Sequence, residues 1–293
     1  MSTEGALAAT VADVLRDGAA LCLGIDPHPA LLAAWGLADS ADGLREFGLR
    51  AAESARDSAT PVVKPQIAFY ERHGSAGLAA LEDVMAAARA AGLWVLADAK
   101  RGDIGSTMTG YADAWLRAGA ALEADALTVS PYLGLGSLQP AVDAAIGAGK
   151  SLFVLAATSN PEAAGVQNAI APDGASVAGG ILQGVDALNA ELAGDGIGRI
   201  GRIGRIGPIG VVIGATVQPE AMGLALGEAP RTPILAPGYG AQGARLSDIR
   251  ATFGDATGRV IANVSREALA AGPERLTARL RELAQELAAG VAA

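Results

Sequence analysis

The feature that most constrains this chain is a succession of eight short, continuously apolar runs, at 20–25, 60–64, 93–98, 126–130, 151–156, 210–213, 233–236 and 259–262. Unbroken rather than alternating apolarity means burial on both faces, the condition of a parallel sheet covered by helices. Between the runs lie segments with helical patterning, predicted at 5–17, 41–58, 74–91, 105–119, 136–148, near 176–193, and at 218–227, 242–253 and 273–289. In 41–58, for example, Leu44, Phe47, Ala51 and Ala55 form one stripe. Eight such units in 293 residues favour a closed (β/α)8 barrel, an α/β TIM barrel, over an open doubly wound sheet. The whole of 1–293 reads as one barrel domain.

Composition narrows the functional classes. A net charge of -9 argues against a basic face for nucleic acid. Cys22 is the lone cysteine, so no internal disulfide framework exists, and a buried, inert thiol in a cytoplasmic protein is expected. The start of the chain lacks a basic n-region, and no apolar run approaches the ~18–20 residues of a membrane span. Of 22 basic residues only Lys64, Lys100 and Lys150 are lysine. An amine can lose and regain a proton, which a guanidinium essentially cannot, so a lysine kept against a strong drift to arginine invites a chemical role. One segment breaks the pattern. Residues 194–210 contain Gly-Arg-Ile three times over, read as an expanded, mobile loop entering the sixth strand from the side away from the chemistry.

Polar residues gather beyond the strand C-terminal ends: Asp26, Lys64, Asp98, Lys100, Ser130, Ser159, Gln242 and Arg266. Barrel enzymes place their sites on that face. Side chains 98 and 100 of a strand share a face, whereas Asp103 falls in the turn marked by Gly102 and can aim elsewhere. Two carboxylates so close cost energy unless a cation lies between them. With Lys64 they form an alternating set, Lys64, Asp98, Lys100 and Asp103. After the seventh and eighth runs, Pro237-Gly-Tyr-Gly-Ala-Gln242-Gly243 and Asn263-Val-Ser-Arg266 supply glycine amides, a helix start and an arginine, the parts of a barrel phosphate site. His28 and His73 have no partners in metal-ligand spacing and read as structural or solvent-facing; Trp35, Trp94 and Trp115 read as packing residues.

The run Asp98-x-Lys100-x-x-Asp103-Ile104-x-x-Thr107 resembles the signature of the orotidine 5'-monophosphate decarboxylases. Upstream, Val63-Lys64-Pro-Gln-Ile-Ala-Phe-Tyr-Glu71 and Gly24-Ile-Asp26-Pro27 look like the longer-chain, type 2 subgroup. The resemblance implies conversion of orotidine 5'-monophosphate to uridine 5'-monophosphate (UMP), the last step of de novo UMP biosynthesis, with no cofactor and no metal. It implies that Lys100 donates a proton to C6, that Asp98 lies near the substrate carboxylate, and that Lys64 balances Asp98 and reaches the ribose with Asp26. It further implies a homodimer in which Asp103, Ile104 and Thr107 enter the neighbouring subunit's site. At the other end Ser159 would read the pyrimidine edge, although a plain cap or turn role also suits it. Gln242 would bridge phosphate and pyrimidine, Pro237 would belong to the substrate wall, and Arg266 would clamp the phosphate. Ser130-Pro131-Tyr132 would shape the base pocket. The rivals are a Mg²⁺-dependent sugar-phosphate decarboxylase or aldolase on the same barrel and a non-catalytic barrel that binds phosphate ligands. Lysine at 64, where a metal site wants a carboxylate, argues against the first, and the full tetrad against the second.

Overall fold

All eight apolar runs form strands in the computed structural model, which describes residues 9–194 and 206–293. They are β1 Ala20–Ile25, β2 Val62–Pro65, β3 Trp94–Arg101, β4 Ala126–Val129, β5 Ser151–Ala157, β6 Ile209–Ile213, β7 Ile234–Tyr239 and β8 Val260–Val264. Every strand pairs in parallel with its neighbour in sequence, and β8 pairs back to β1, with Leu21 opposite Ala262. The sheet is a closed eight-stranded barrel, a TIM barrel with no free edge.

Alternate residues of each strand fill two separate cores. Inward-facing Cys22, Val62, Trp94, Leu96, Phe153, Val212, Leu235 and Ile261 pack inside the barrel, and Val11 and Leu15 join them. Gly210 makes room there: a Cβ on it would stand 2.6 Å from the Phe153 ring. The outward residues pack against the helices in the larger core. The helix Ala41–Asp57 buries the predicted stripe of Leu44, Phe47, Ala51 and Ala55 completely. The last helix, Leu276–Ala292, buries Leu276, Leu280, Leu283 and Leu287. The three tryptophans are packing residues, as expected; Trp35 and Trp94 donate their indole N–H groups to the carbonyls of Leu269 and Ala9. Lys150 pairs with Glu123 at 2.9 Å. No helix among the described residues is long and apolar enough to cross a membrane.

Several boundaries differ from the sequence reading. At 5–17, residues 1–8 lie outside the described residues and only Val11–Val14 is helical, capped reciprocally by Thr10 and Asp13. The expected helix at 218–227 is two single 3-10 turns, Glu220–Met222 and Leu226–Glu228, because Gly223 sits at φ +70° and ends the first turn in the left-handed region. The expected helix at 242–253 is shortened to a 3-10 turn, Leu246–Asp248, and one α-helical stretch, Ile249–Phe253, because Gly243 at φ +102° keeps the preceding loop open. The helix at 105–119 ends at Leu116, and that at 136–148 begins as a 3-10 turn. Strands β3, β7 and β8 run past their predicted ends, so Lys100 and Asn263 belong to the barrel wall itself. Of the Gly-Arg-Ile repeats at 198–206, all but the final Ile206 lie outside the described residues, so the loop reading falls mostly on residues not described.

Candidate active site

The C-terminal mouth of the barrel is an open cleft to which every strand or the loop after it contributes a residue. At its floor β3 departs from regular geometry. Its register with β4 holds at Leu96–Ala126 and Ala97–Leu127, then jumps to Arg101–Val129. Residues 98–100 therefore bulge out of the ladder, and Lys100 adopts φ +48°, a conformation that non-glycine residues rarely take. Asp98 and Lys100 do meet, as the sequence pattern suggested, but through this bulge rather than through strand periodicity.

Asp98 receives two ammonium groups. Lys64 Nζ donates to its Oδ2 at 2.7 Å and Lys100 Nζ to its Oδ1 at 2.6 Å. Thr128 Oγ1, from β4, adds a hydrogen bond of 2.9 Å to the same Oδ1 and accepts the Lys100 backbone N–H at 3.0 Å. Lys64 is nearly sealed, with a side chain 3% exposed, whereas that of Lys100 is 43% exposed. Burial works against both charges of the sealed pair. The paired ammoniums of Lys64 and Lys100 overcome it and hold Asp98 well below the usual carboxylate range. Likewise Asp98 and Asp26 hold Lys64 above the usual lysine range despite burial. Both groups are charged at neutral pH.

The opposite side of the cleft is built from backbone and neutral side chains. Gly238 and Gly240, at φ +119° and +77°, turn the chain after β7, and a Cβ on Gly240 would fall 1.8 Å from Glu267 Oε2. This close approach brings the 238–243 loop against the short helix Arg266–Leu269. Arg266 is exposed at the rim and makes no ion pair among the described residues. Ser159 Oγ donates to Gln242 Oε1 at 3.2 Å, spanning the cleft from the β5 side to the β7 side. The cleft's three cations, Lys64, Lys100 and Arg266, outnumber the carboxylates Asp26 and Asp98, so an acidic protein carries a locally cationic mouth. That distribution suits an anionic ligand with charge at both ends.

Sequence reasoning missed several lining residues. Ser265 Oγ donates to Asp26 Oδ2 at 2.6 Å, leaving Oδ1 buried without a partner among the described residues. Gln66, Thr128, Thr158 and Asn263 also line the cleft. The signal available was a polar residue inside an apolar run, as at Thr128 and Asn263. Ser130 stands outside the cleft, a correction: its N–H bonds to the Arg101 carbonyl at 2.7 Å, and its own carbonyl O sits 2.5 Å from where a Gly102 Cβ would be. Tyr132, expected to shape the base pocket, is 83% exposed and does not line it. Cys22 is buried beside Asn263, and burial pushes its thiol up to about 12, which makes it inert.

A family model described as "Orotidine 5'-phosphate decarboxylase / HUMPS family" matches residues 19–280, nearly the whole barrel. The chain belongs to this family. Orotidine 5'-phosphate decarboxylases of Salinispora arenicola and Streptomyces coelicolor are 47% and 49% identical to it over 254 residues, covering 87% of this chain and 86% of each relative. A crystal structure from Streptomyces avermitilis, assigned as an orotidine 5'-phosphate decarboxylase, covers both chains fully at 44% identity with a TM-score of 0.88. The OMP decarboxylase of Leishmania donovani is more distant, at 28% identity and a TM-score of 0.72 over 97% of this chain and 100% of that one.

For this member of the decarboxylase family, Asp26, Lys64, Asp98, Lys100, Ser159, Pro237, Gln242 and Arg266 come together around one cleft. Asp103, Ile104 and Thr107 do not. Asp103 Oδ1 accepts the Ile104 N–H at 2.8 Å where the helix Gly105–Leu116 begins, and Ile104 is 61% exposed. Among the described residues, no three His, Cys, Asp or Glu side chains are grouped to hold a metal ion.

Proposed function

We propose that this cleft decarboxylates orotidine 5'-monophosphate to UMP, the final step of de novo pyrimidine nucleotide synthesis, as a carboxy-lyase using its own side chains. The observation that carries the reading is Asp98 held between two ammonium groups, 2.7 Å and 2.6 Å away, on the cleft floor. Breaking the C6–carboxylate bond releases CO2 and leaves the electron pair on C6. A catalyst must stabilise that charge as it develops and then supply a proton. Lys100, half-exposed toward the cleft, does both: its ammonium faces the forming carbanion and then transfers a proton to C6, and solvent reprotonates the amine. Asp98 sits by the substrate carboxylate, where repulsion is relieved as CO2 departs. Lys64 neutralises Asp98 from the sealed side and, with Asp26, bonds the ribose hydroxyls; the unpartnered Asp26 Oδ1 suits such a donor. Arg266, with the loop from Pro237 to Gln242, holds the phosphate, and Ser159 and Gln242 read the pyrimidine edge.

The functional unit in this reading is a homodimer of cytoplasmic type 2 chains, each folded as one barrel domain. Asp103 lies outside its own cleft, and Ile104, Tyr132 and Leu133 are exposed apolar residues at 61%, 83% and 54%. An apolar lip carrying an unused carboxylate fits a second copy, into whose cleft Asp103, Ile104 and Thr107 reach. The test is to mix the protein with orotidine 5'-monophosphate in EDTA and follow the loss of pyrimidine absorbance. Conversion to UMP is expected. Conversion only on adding Mg²⁺ supports the sugar-phosphate type of chemistry instead, and binding without conversion supports a silent phosphate-binding barrel.

A further inference from the structure

Thr128 lies on β4 directly across from the bulge that carries Asp98 and Lys100, and it is 1% exposed. Between Leu127 and Val129 this one residue faces the whole excursion of β3 from Ala97 to Arg101. Bulged residues lose their ladder partners, so the Lys100 N–H needs an acceptor from elsewhere. The Thr128 hydroxyl accepts it at 3.0 Å and donates its own hydrogen bond to Asp98 Oδ1 at 2.9 Å. One oxygen thus ties the backbone of one catalytic candidate to the carboxylate of the other.

We infer that Thr128 is a positioning residue of the reaction, its hydroxyl holding Lys100 in the left-handed conformation that aims the ammonium at C6. The inference rests on the decarboxylase reading above. Several features make the hydroxyl more than a buried threonine satisfying itself. Lys100 and Ala59 are the two non-glycine residues at positive φ among the described residues. A strained conformation persists only where surrounding contacts over-determine it, and the Thr128 bond is the contact that fixes the Lys100 N–H. The Lys100 ammonium and the Thr128 hydroxyl share Asp98 Oδ1, so loss of the hydroxyl also removes one of the three side-chain bonds that orient the carboxylate. Valine is close to threonine in shape but lacks the hydroxyl, so it supplies neither bond.

The test compares Thr128→Val with Thr128→Ser, with Thr128→Ala as a second hydroxyl-free form should the valine variant not fold. The hydroxyl-free variant is expected to lose at least ~tenfold in kcat while inhibition by UMP changes less than about twofold, the signature of a contact used in the transition state. The serine variant should recover kcat to within about threefold of the parent. Amide exchange supplies a readout independent of turnover: the Lys100 N–H should exchange at least ~tenfold faster without the hydroxyl, and slow again in the serine form. Unchanged kcat in the hydroxyl-free variants, or a serine variant as impaired as they are, overturns the assignment. A parent protein that fails to consume orotidine 5'-monophosphate refutes the reaction instead. Lys100 exchange then still decides whether Thr128 holds the bulge.

Discussion

Lys64 Nζ stands 2.7 Å from Asp98 Oδ2, and the two side chains are only 3% and 9% exposed. A charge pair this deep is held by mutual need: each ion has given up water, and removing one leaves the other uncompensated.

Asp98→Asn preserves shape and removes that compensation. It should cost about 3–5 kcal/mol in urea unfolding near pH 6. Its pH dependence has a definite sign. In the native protein Asp98 is lowered and Lys64 raised, so their stabilisation is complete above the ordinary carboxylate range and below the ordinary lysine range, flat from about pH 5 to 9. In the variant, burial acts on Lys64 with its main counter-charge gone, and its pKa falls below the unfolded value. The unfolded state then binds more protons, the variant gains stability as pH rises, and the deficit narrows between about pH 6 and 9. A deficit that stays constant or widens contradicts this.

Lys100→Ala should abolish decarboxylation and leave UMP binding within about threefold of the parent, because phosphate, ribose and base contacts all lie elsewhere. Calorimetric titration with UMP beside the absorbance assay separates the two effects. Retained turnover would remove Lys100 from the proton-donor role.

Arg266→Ala should act at the other end. A lost charge-assisted bond to phosphate raises KM about 10- to 100-fold, with a smaller effect on nucleosides that carry no phosphate. An equal loss for substrates with and without phosphate would place the clamp elsewhere.

Cys22, fully buried and pushed up to about 12, should resist iodoacetamide in the native protein near pH 8 and react promptly in denaturant. Mass spectrometry of the intact chain reads the outcome. Fast native labelling would mean that the β1–β8 wall opens readily.

The barrel was legible in the sequence because burial on both faces removes polar alternation from a strand, as in Val95 to Ala97 or Leu152 to Val154. The helices after β6 and β7 were not, since Gly223 and Gly243 interrupt segments whose apolar residues look periodic. Asp98 and Lys100 were recognisable from charge and spacing. The bulge that joins them was not, because it depends on Thr128 some thirty positions away, and a threonine in an apolar run looks like ordinary strand preference. Ser265 escaped for a similar reason, lying between Asn263 and the more conspicuous Arg266. The separation of Asp103 from Asp98 could be read only from resemblance to the family, since a turn residue can aim either way.

The most direct test of a charge network completed between two copies is a hybrid of two dead variants. Lys100→Ala keeps an intact Asp103 to lend, and Asp103→Ala keeps an intact Lys100. Co-expressed with different tags and purified through both, the mixed dimer contains one complete site and one doubly broken one. The mixed dimer should show about half the activity of the parent dimer, far above either variant alone. Mixed dimers no more active than the two parent variants would contradict it.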